Sequence, residues 1–284
     1  MDAMIYEKKG YLHEDFRLFH LDSALTEDTA FHYHEFHKIV FFLSGMGNYL
    51  VGGRSYALRP NDVVLVERGA IHKAEISPNV RYERIILYIS PEFLAAQSSE
   101  QSSLEYCFRA SAQNRSYVIR PDIDLRDSML KTLSALENAV KESGFGQDLL
   151  ARSLLIQLLI EVGRGMDAEH YRYAAAENSG EKTAEILEYL HDHLTEEISI
   201  DHLADVFYLS KYHMMRLFRN RTGFTIHGYL TDKRLHYARE LISQGETALE
   251  ACYACGYRDY SAFSRAYKKR FQETPGRARG GKTS

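Results

Sequence analysis

The stretch Gly256-Tyr257-Arg258-Asp259-Tyr260-Ser261-Ala262-Phe263-Ser264-Arg265-Ala266-Tyr267-Lys268-Lys269 decides the reading of this chain. Asp259 is a helix N-cap, and Phe263 and Tyr267 recur at a spacing of four behind it, so a helix is expected from 260 to about 271. Upstream, Thr247 with Glu250 three residues on forms a capping box for a shorter helix, and Gly256 supplies the turn between the two. A short helix, a tight turn and a longer helix make a helix-turn-helix. A shift of 49 positions repeats the unit: Ser210 aligns with Asp259, Met214 with Phe263, Arg216 with Arg265, Phe218 with Tyr267 and Arg219 with Lys268. Ser199 then caps a helix over 200–207 and Ser210 one running to about 222. Between the copies, 225–243 reads as one helix of about 28 Å. That is close to the roughly 34 Å turn of B-DNA, so it is long enough to set two recognition helices into successive major grooves.

Charge follows the same division. Residues 206–284 hold 15 Lys and Arg against 6 Asp and Glu, net +9, whereas residues 1–205 hold 20 against 33, net −13; the two add to the −4 of the whole 284-residue chain. The modest total hides a basic portion suited to a polyanion. Lys211, Arg216 and Arg219 fall on the second helix of the first unit, and Arg265, Lys268, Lys269 and Arg270 on that of the second.

The last hundred residues resemble the DNA-binding domain of the AraC/XylS family of bacterial transcription regulators, through the stretch quoted above together with Thr274-Pro275. Gln272 stands where that family usually has glycine, and Ala278 where it usually has tyrosine. The resemblance implies sequence reading by Lys211, Tyr212, Met215 and Arg216 in one unit and by Tyr260, Ser261, Ser264 and Arg265 in the other. Arg216 and Arg265 are the candidates for bidentate guanine contacts. Arg219, Arg221, Lys268 and Lys269 are assigned to phosphate.

The first half reads differently. From 16 to 89, short runs rich in Val, Ile, Tyr and Phe (38–43, 48–51, 62–66, 82–89) alternate with turn residues, among them the hairpin pair Gly52-Gly53, which predicts a sandwich or small barrel. Residues 31–75 resemble a cupin barrel of the kind that family carries at its N-terminus, through His32-Tyr33-His34, Gly45, Pro60-Asn61-Asp62, Gly69 and His72. The resemblance implies an effector pocket lined by His32, His34, His37 and His72. In metal-binding cupins a glutamate follows the second histidine by four residues; here that position is Lys38, with Glu35 and His37 as nearby substitutes. The barrel is therefore read as metal-free and the chain as having no cofactor, His32, His34 and His72 being the residues a metal would otherwise take.

Ser90-Pro91 opens a helix, and from 122 the period is helical. Leu125, Met129, Leu133, Leu136 and Val140 mark one helix; Leu149, Leu150, Leu154, Leu155, Leu158, Leu159 and Val162 mark a second, apolar over more than one face. The excess suits either packing on the barrel alone or, in addition, burial of a stripe against a second subunit. The domain reading is a cupin-like barrel at 1–100, a helical packing and dimerisation segment at 101–167, a linker at 168–180 and the double helix-turn-helix at 181–284. The fold class is α+β multidomain.

Three cysteines form no disulfide framework, and Cys252-x-x-Cys255 occupies positions read as small core residues. The longest apolar runs are too short to span a membrane, and residues 1–10 lack a signal-peptide h-region. The expectation is a cytoplasmic, nucleoid-associated homodimer that is not an enzyme. Its partners would be operator DNA, a sugar or other small metabolite, and RNA polymerase, with no membrane. The rival reading is a cupin metalloenzyme with an accessory helical domain, which Lys38 and the paired helix-turn-helix disfavour.

Overall fold

The structure is a computed structural model that describes residues 12, 14–22, 30–78, 80–168, 170–176 and 181–278. The chain divides into two compact units, Met1–Ser179 and Gly180–Ser284.

The first unit is built on two antiparallel sheets. One has the order β1 (Phe16–Asp22), β7 (Glu83–Ile89), β2 (His37–Ser44), β5 (Val63–Val66), β8 (Val118–Pro121), β9 (Tyr171–Tyr173); the other is β4 (Arg54–Ala57), β3 (Gly47–Val51), β6 (His72–Ile76). The tight turn from β3 to β4 has Gly52 and Gly53 both at positive φ, 55° and 79°.

Period-two alternation divides the large sheet between two cores. Ile39, Phe41, Val63, Leu65, Ile85, Leu87 and Ile89 face the helices α1 (Pro91–Gln97), α2 (Tyr106–Gln113), α3 (Ile123–Lys141) and α4 (Gln147–Asp167). Their neighbours Val40, Phe42, Val64, Val66, Ile86 and Tyr88 turn inward to meet Tyr49, Val51 and Tyr56 of the small sheet. Strands covered on both faces read as unbroken apolar runs, which is why 38–43 and 82–89 stood out.

Two expectations need correction. The segment 101–167 is not wholly helical: β8 lies inside it, with Val118 and Ile119 pairing Val64 and Val63. Nor is 168–180 simply a linker, because Tyr171–Tyr173 extends the sheet as β9 against β8. Strands of four and three residues are too short to show a period, and their partners lie 50 or more residues away along the chain, so no local pattern marked them. Residues 177–180 of that linker lie outside the described residues.

The second unit is helical: α5 (Glu181–Asp192), α6 (Ile200–Phe207), α7 (Lys211–Thr222), α8 (Ile226–Ser243), α9 (Ala248–Ala254), α10 (Tyr260–Phe271) and α11 (Pro275–Ala278). The side chains of Ser199, Ser210, Thr225, Thr247 and Asp259 each accept a hydrogen bond from the backbone N–H three residues on, and Glu250 closes the capping box on Thr247. Each such cap contributes about 1 kcal/mol. Cys252 and Cys255 sit in the core formed with Leu235, Ala238, Ile242, Phe263 and Tyr267, and burial pushes the Cys255 thiol up to about 12. Neither is placed to act as a thiolate.

Candidate nucleic-acid interface and effector site

The caps at Ser210 and Asp259 fix where α7 and α10 begin, and the apolar spacing fixes which way they face. On α7, Met214, Phe218 and Thr222 are buried, which turns Lys211, Tyr212, Met215, Arg216 and Arg219 to solvent. On α10, Phe263 and Tyr267 are buried while Tyr260, Ser261, Arg265, Lys268 and Lys269 are exposed and Ser264 is half-buried. The Arg216 guanidinium lies 5.6 Å from the centre of the Tyr212 ring, and Lys211 pairs with Asp201 in the first turn of α6. Among the described residues, no ion pair engages Arg216, Arg219, Arg265, Lys268 or Lys269. Each helix thus carries cations that are not spent within the fold.

Arg270 behaves otherwise. Its Nε donates to Asp232 Oδ1 and its Nη2 to His236 Nε2, at 3.0 Å, so this member of the basic tract, although still exposed, is engaged in tying α10 to α8. A further structural arginine went unnoticed in the sequence. Arg234 Nε donates to the Leu194 carbonyl at 2.7 Å, and a Cβ at Gly256 would stand 2.6 Å from the carbonyl oxygen of the adjacent Thr195. One loop therefore meets both the connecting helix and the turn of the second unit. The contact is long-range and has no local signature.

In the barrel, β2 separates neighbours that the sequence grouped. Lys38 points inward with Val40 and Phe42, whereas His37 points to the opposite face, its ring 4.4 Å from that of Phe108 and its Nε2 3.8 Å from Glu105 Oε1. Burial, followed by the charge of Arg68, holds His37 down to about 3. His37 is thus not part of the interior cluster, and strand alternation was the signal that would have removed it.

His32, His34 and His72 do come together. Paired backbone hydrogen bonds of 3.1 and 2.9 Å join His32 to His72; their rings lie 4.3 Å apart and those of His34 and His72 4.8 Å apart. Lys38 Nζ reaches to 3.4 Å from His72 Nε2, and lies 5.7 Å from the Tyr49 ring and 5.9 Å from the Tyr88 ring. Burial first, and then the charge of Lys38, keeps His34 and His72 well below the usual imidazole range, so both are neutral. This donor set does not suit a divalent cation, which would meet a fixed ammonium beside one of its imidazole ligands.

The comparisons with known proteins follow the same division. The family model of the AraC-like ligand binding domain matches residues 20–159, and that of a helix-turn-helix domain matches residues 203–281. The chain is similar to the HTH-type transcriptional activator RhaS of Escherichia coli O1:K1 / APEC, 26% identical over 250 residues that cover 86% of this chain and 85% of that one. RhaS of Enterobacter sp. (strain 638) is 27% identical over 253 residues, covering 88% and 87%. Among solved structures, a transcriptional regulator with an AraC-type DNA-binding domain from Chromobacterium violaceum is 27% identical, covering 37% of this chain and 97% of that one, with a TM-score of 0.34. With a ligand-binding domain of the AraC type in its first half and a helix-turn-helix domain in its last, this chain belongs to the AraC/XylS family of transcription regulators.

Proposed function

We propose that α7 and α10 each read one half of a bipartite operator, and that an effector held in the barrel interior changes their occupancy of it. Lys211, Tyr212, Met215 and Arg216 meet base edges in one half, Tyr260, Ser261, Ser264 and Arg265 in the other, and Arg219, Lys268 and Lys269 hold phosphates. The observation that carries this reading is the row of exposed cations on two capped helices whose opposite faces are locked into the core. The effector acts by binding one arrangement of the protein better than another; with equal affinity for both, nothing would shift. His32, His34 and His72 supply its polar contacts.

The regulator works as a homodimer through α4, where Leu149 and Leu150 are exposed a few residues after a fully exposed Phe145. Both relatives described above are named activators, and activation makes RNA polymerase the protein partner. The chain performs no catalysis of its own and works in the cytoplasm at the nucleoid; no helix among the described residues is long and apolar enough to cross a membrane. The test is fluorescence anisotropy of the full chain on a labelled mixed-sequence duplex at several salt concentrations. Binding that weakens steeply as salt rises is expected. Absence of binding at low salt would remove the DNA-reading role.

A further inference from the structure

The two recognition helices share their exposed cations and differ in the residues set beside them, a difference that narrows the chemistry of the operator and rests on the DNA-reading role proposed above. On α7, Tyr212, Met215, Arg216 and Arg219 recur at the three- and four-residue spacing of one helix face and form a single exposed stripe. The 49-residue repeat puts Ser261, Ser264, Arg265 and Lys268 in the corresponding stripe of α10. Arg265 answers Arg216 and Lys268 answers Arg219, so the cations match. The pair ahead of them does not: tyrosine and methionine stand in one unit and two serines in the other.

Tyr212 is 70% exposed and Met215 44%, whereas Met214 and Phe218 on the same helix are fully buried. The Tyr212 ring meets the Arg216 guanidinium at 5.6 Å. The exposed aromatic of α10 behaves otherwise, because the Tyr260 ring leans on its own core, 5.9 Å from that of Phe263. A thioether and a ring left in water forgo the gain of burial, which α7 recovers only when a partner covers them. The edges of guanine, cytosine and adenine in the major groove offer hydrogen-bond donors and acceptors, and only thymine adds an apolar group, its C5-methyl. A serine hydroxyl, which both donates and accepts, makes no such distinction.

We propose that α7 reads thymine methyl groups: Met215 and Tyr212 pack on the C5-methyls that neighbour the guanine bound by Arg216, while α10 reads its own block without that requirement. The α7 block then combines guanine with thymine, and the α10 block is read by Arg265 with hydroxyl contacts from Ser261 and Ser264. Within the stripe, the Tyr–Met pair is what tells one block from the other.

The test uses a duplex selected from a random library by the full chain, the α7 block being the one lost with Arg216→Ala. Its thymines are replaced by deoxyuridine one block at a time, which removes the methyl and keeps every hydrogen-bonding group, and binding is followed by fluorescence anisotropy. Each methyl removed from the α7 block is expected to weaken binding about three- to fourfold, the value of one buried CH₂ group. Replacement of any thymine in the α10 block should change affinity less than about twofold on the same scale. Tyr212→Ser with Met215→Ser, which copies the α10 stripe onto α7, should abolish the sensitivity. The deoxyuridine comparison needs only the unaltered protein, so it decides the matter even where the variant fails to fold. An α7 block without thymine, deoxyuridine without effect there, equal sensitivity of both blocks, or sensitivity that survives in the folded double variant each overturns the proposal while leaving the DNA-reading role in place. Failure to select any motif removes both.

Discussion

Gly223 and Gln272 occupy the same place in the two helix-turn-helix units, 49 residues apart, and both end their recognition helices in the left-handed conformation, at φ 74° and 59°. Glycine adopts this conformation freely, whereas a side chain costs roughly 1–2 kcal/mol, offset in part because glycine loses more entropy on folding. The Gln272 side chain recovers some of the cost by donating from Nε2 to the Lys269 carbonyl at 3.0 Å. Gln272→Gly is expected to stabilise the helical unit by about 0.5–1 kcal/mol, read as a raised midpoint in thermal or urea unfolding. A lowered midpoint would show that the hydrogen bond outweighs the strain.

On a specific site, Arg216→Ala or Arg265→Ala should lose about 1–3 kcal/mol and relax base preference at the position that arginine reads. Lys268→Ala should instead weaken specific and mixed-sequence duplexes alike and lower the salt slope by about 1. An Arg265→Ala loss that is equal on mixed-sequence DNA would reassign that arginine to phosphate. The two classes of residue are separated by binding isotherms at several salt concentrations.

Acid should loosen the α8–α10 contact. His236 is buried, and burial, followed by the charges of Arg270, Lys233 and Arg239, holds it down to about 3. Its Nε2 accepts from Arg270 and must stay unprotonated to do so. The unfolded chain takes up this proton near pH 6.5 and the folded chain only near 3. The stabilisation is therefore complete above about pH 6.5 and is lost as pH falls between the two values, on the order of 1 kcal/mol by pH 5.5. His236→Gln should flatten the dependence of unfolding midpoint on pH between 7.5 and 5.5; an unchanged slope would assign the effect to other groups.

If α4 forms the dimer, Leu149→Glu with Leu150→Glu should convert it to a monomer at micromolar concentration while far-ultraviolet circular dichroism stays unchanged. Sedimentation velocity measures this. A monomeric mass for the unaltered chain, with and without effector, would remove the dimer from the account.

The helical half was legible almost residue by residue because its signals are local. Caps at Ser199, Ser210, Thr247 and Asp259 and apolar residues four apart, such as Met214 and Phe218, act within one or two turns of chain. The strands β8 and β9 escaped because Val118 and Tyr171 take their places through partners distant in the chain. In the barrel, the histidines were found by spacing, but which of them meet depends on register. Lys38 and His37 are adjacent in sequence and lie on opposite faces, so the residue at the glutamate position lies beside the interior histidines and its neighbour does not. The tie from Arg270 to Asp232 depends in the same way on α8, which no reading of α10 alone contains.

The central claim is that two recognition helices read two separate blocks of sequence, and selection of bound duplexes from a random library by the full chain tests it most directly. The account predicts a motif of two blocks centred about 10 bp apart, one block lost with Arg216→Ala and the other with Arg265→Ala. A single block, or the same block degraded by both variants, would contradict it.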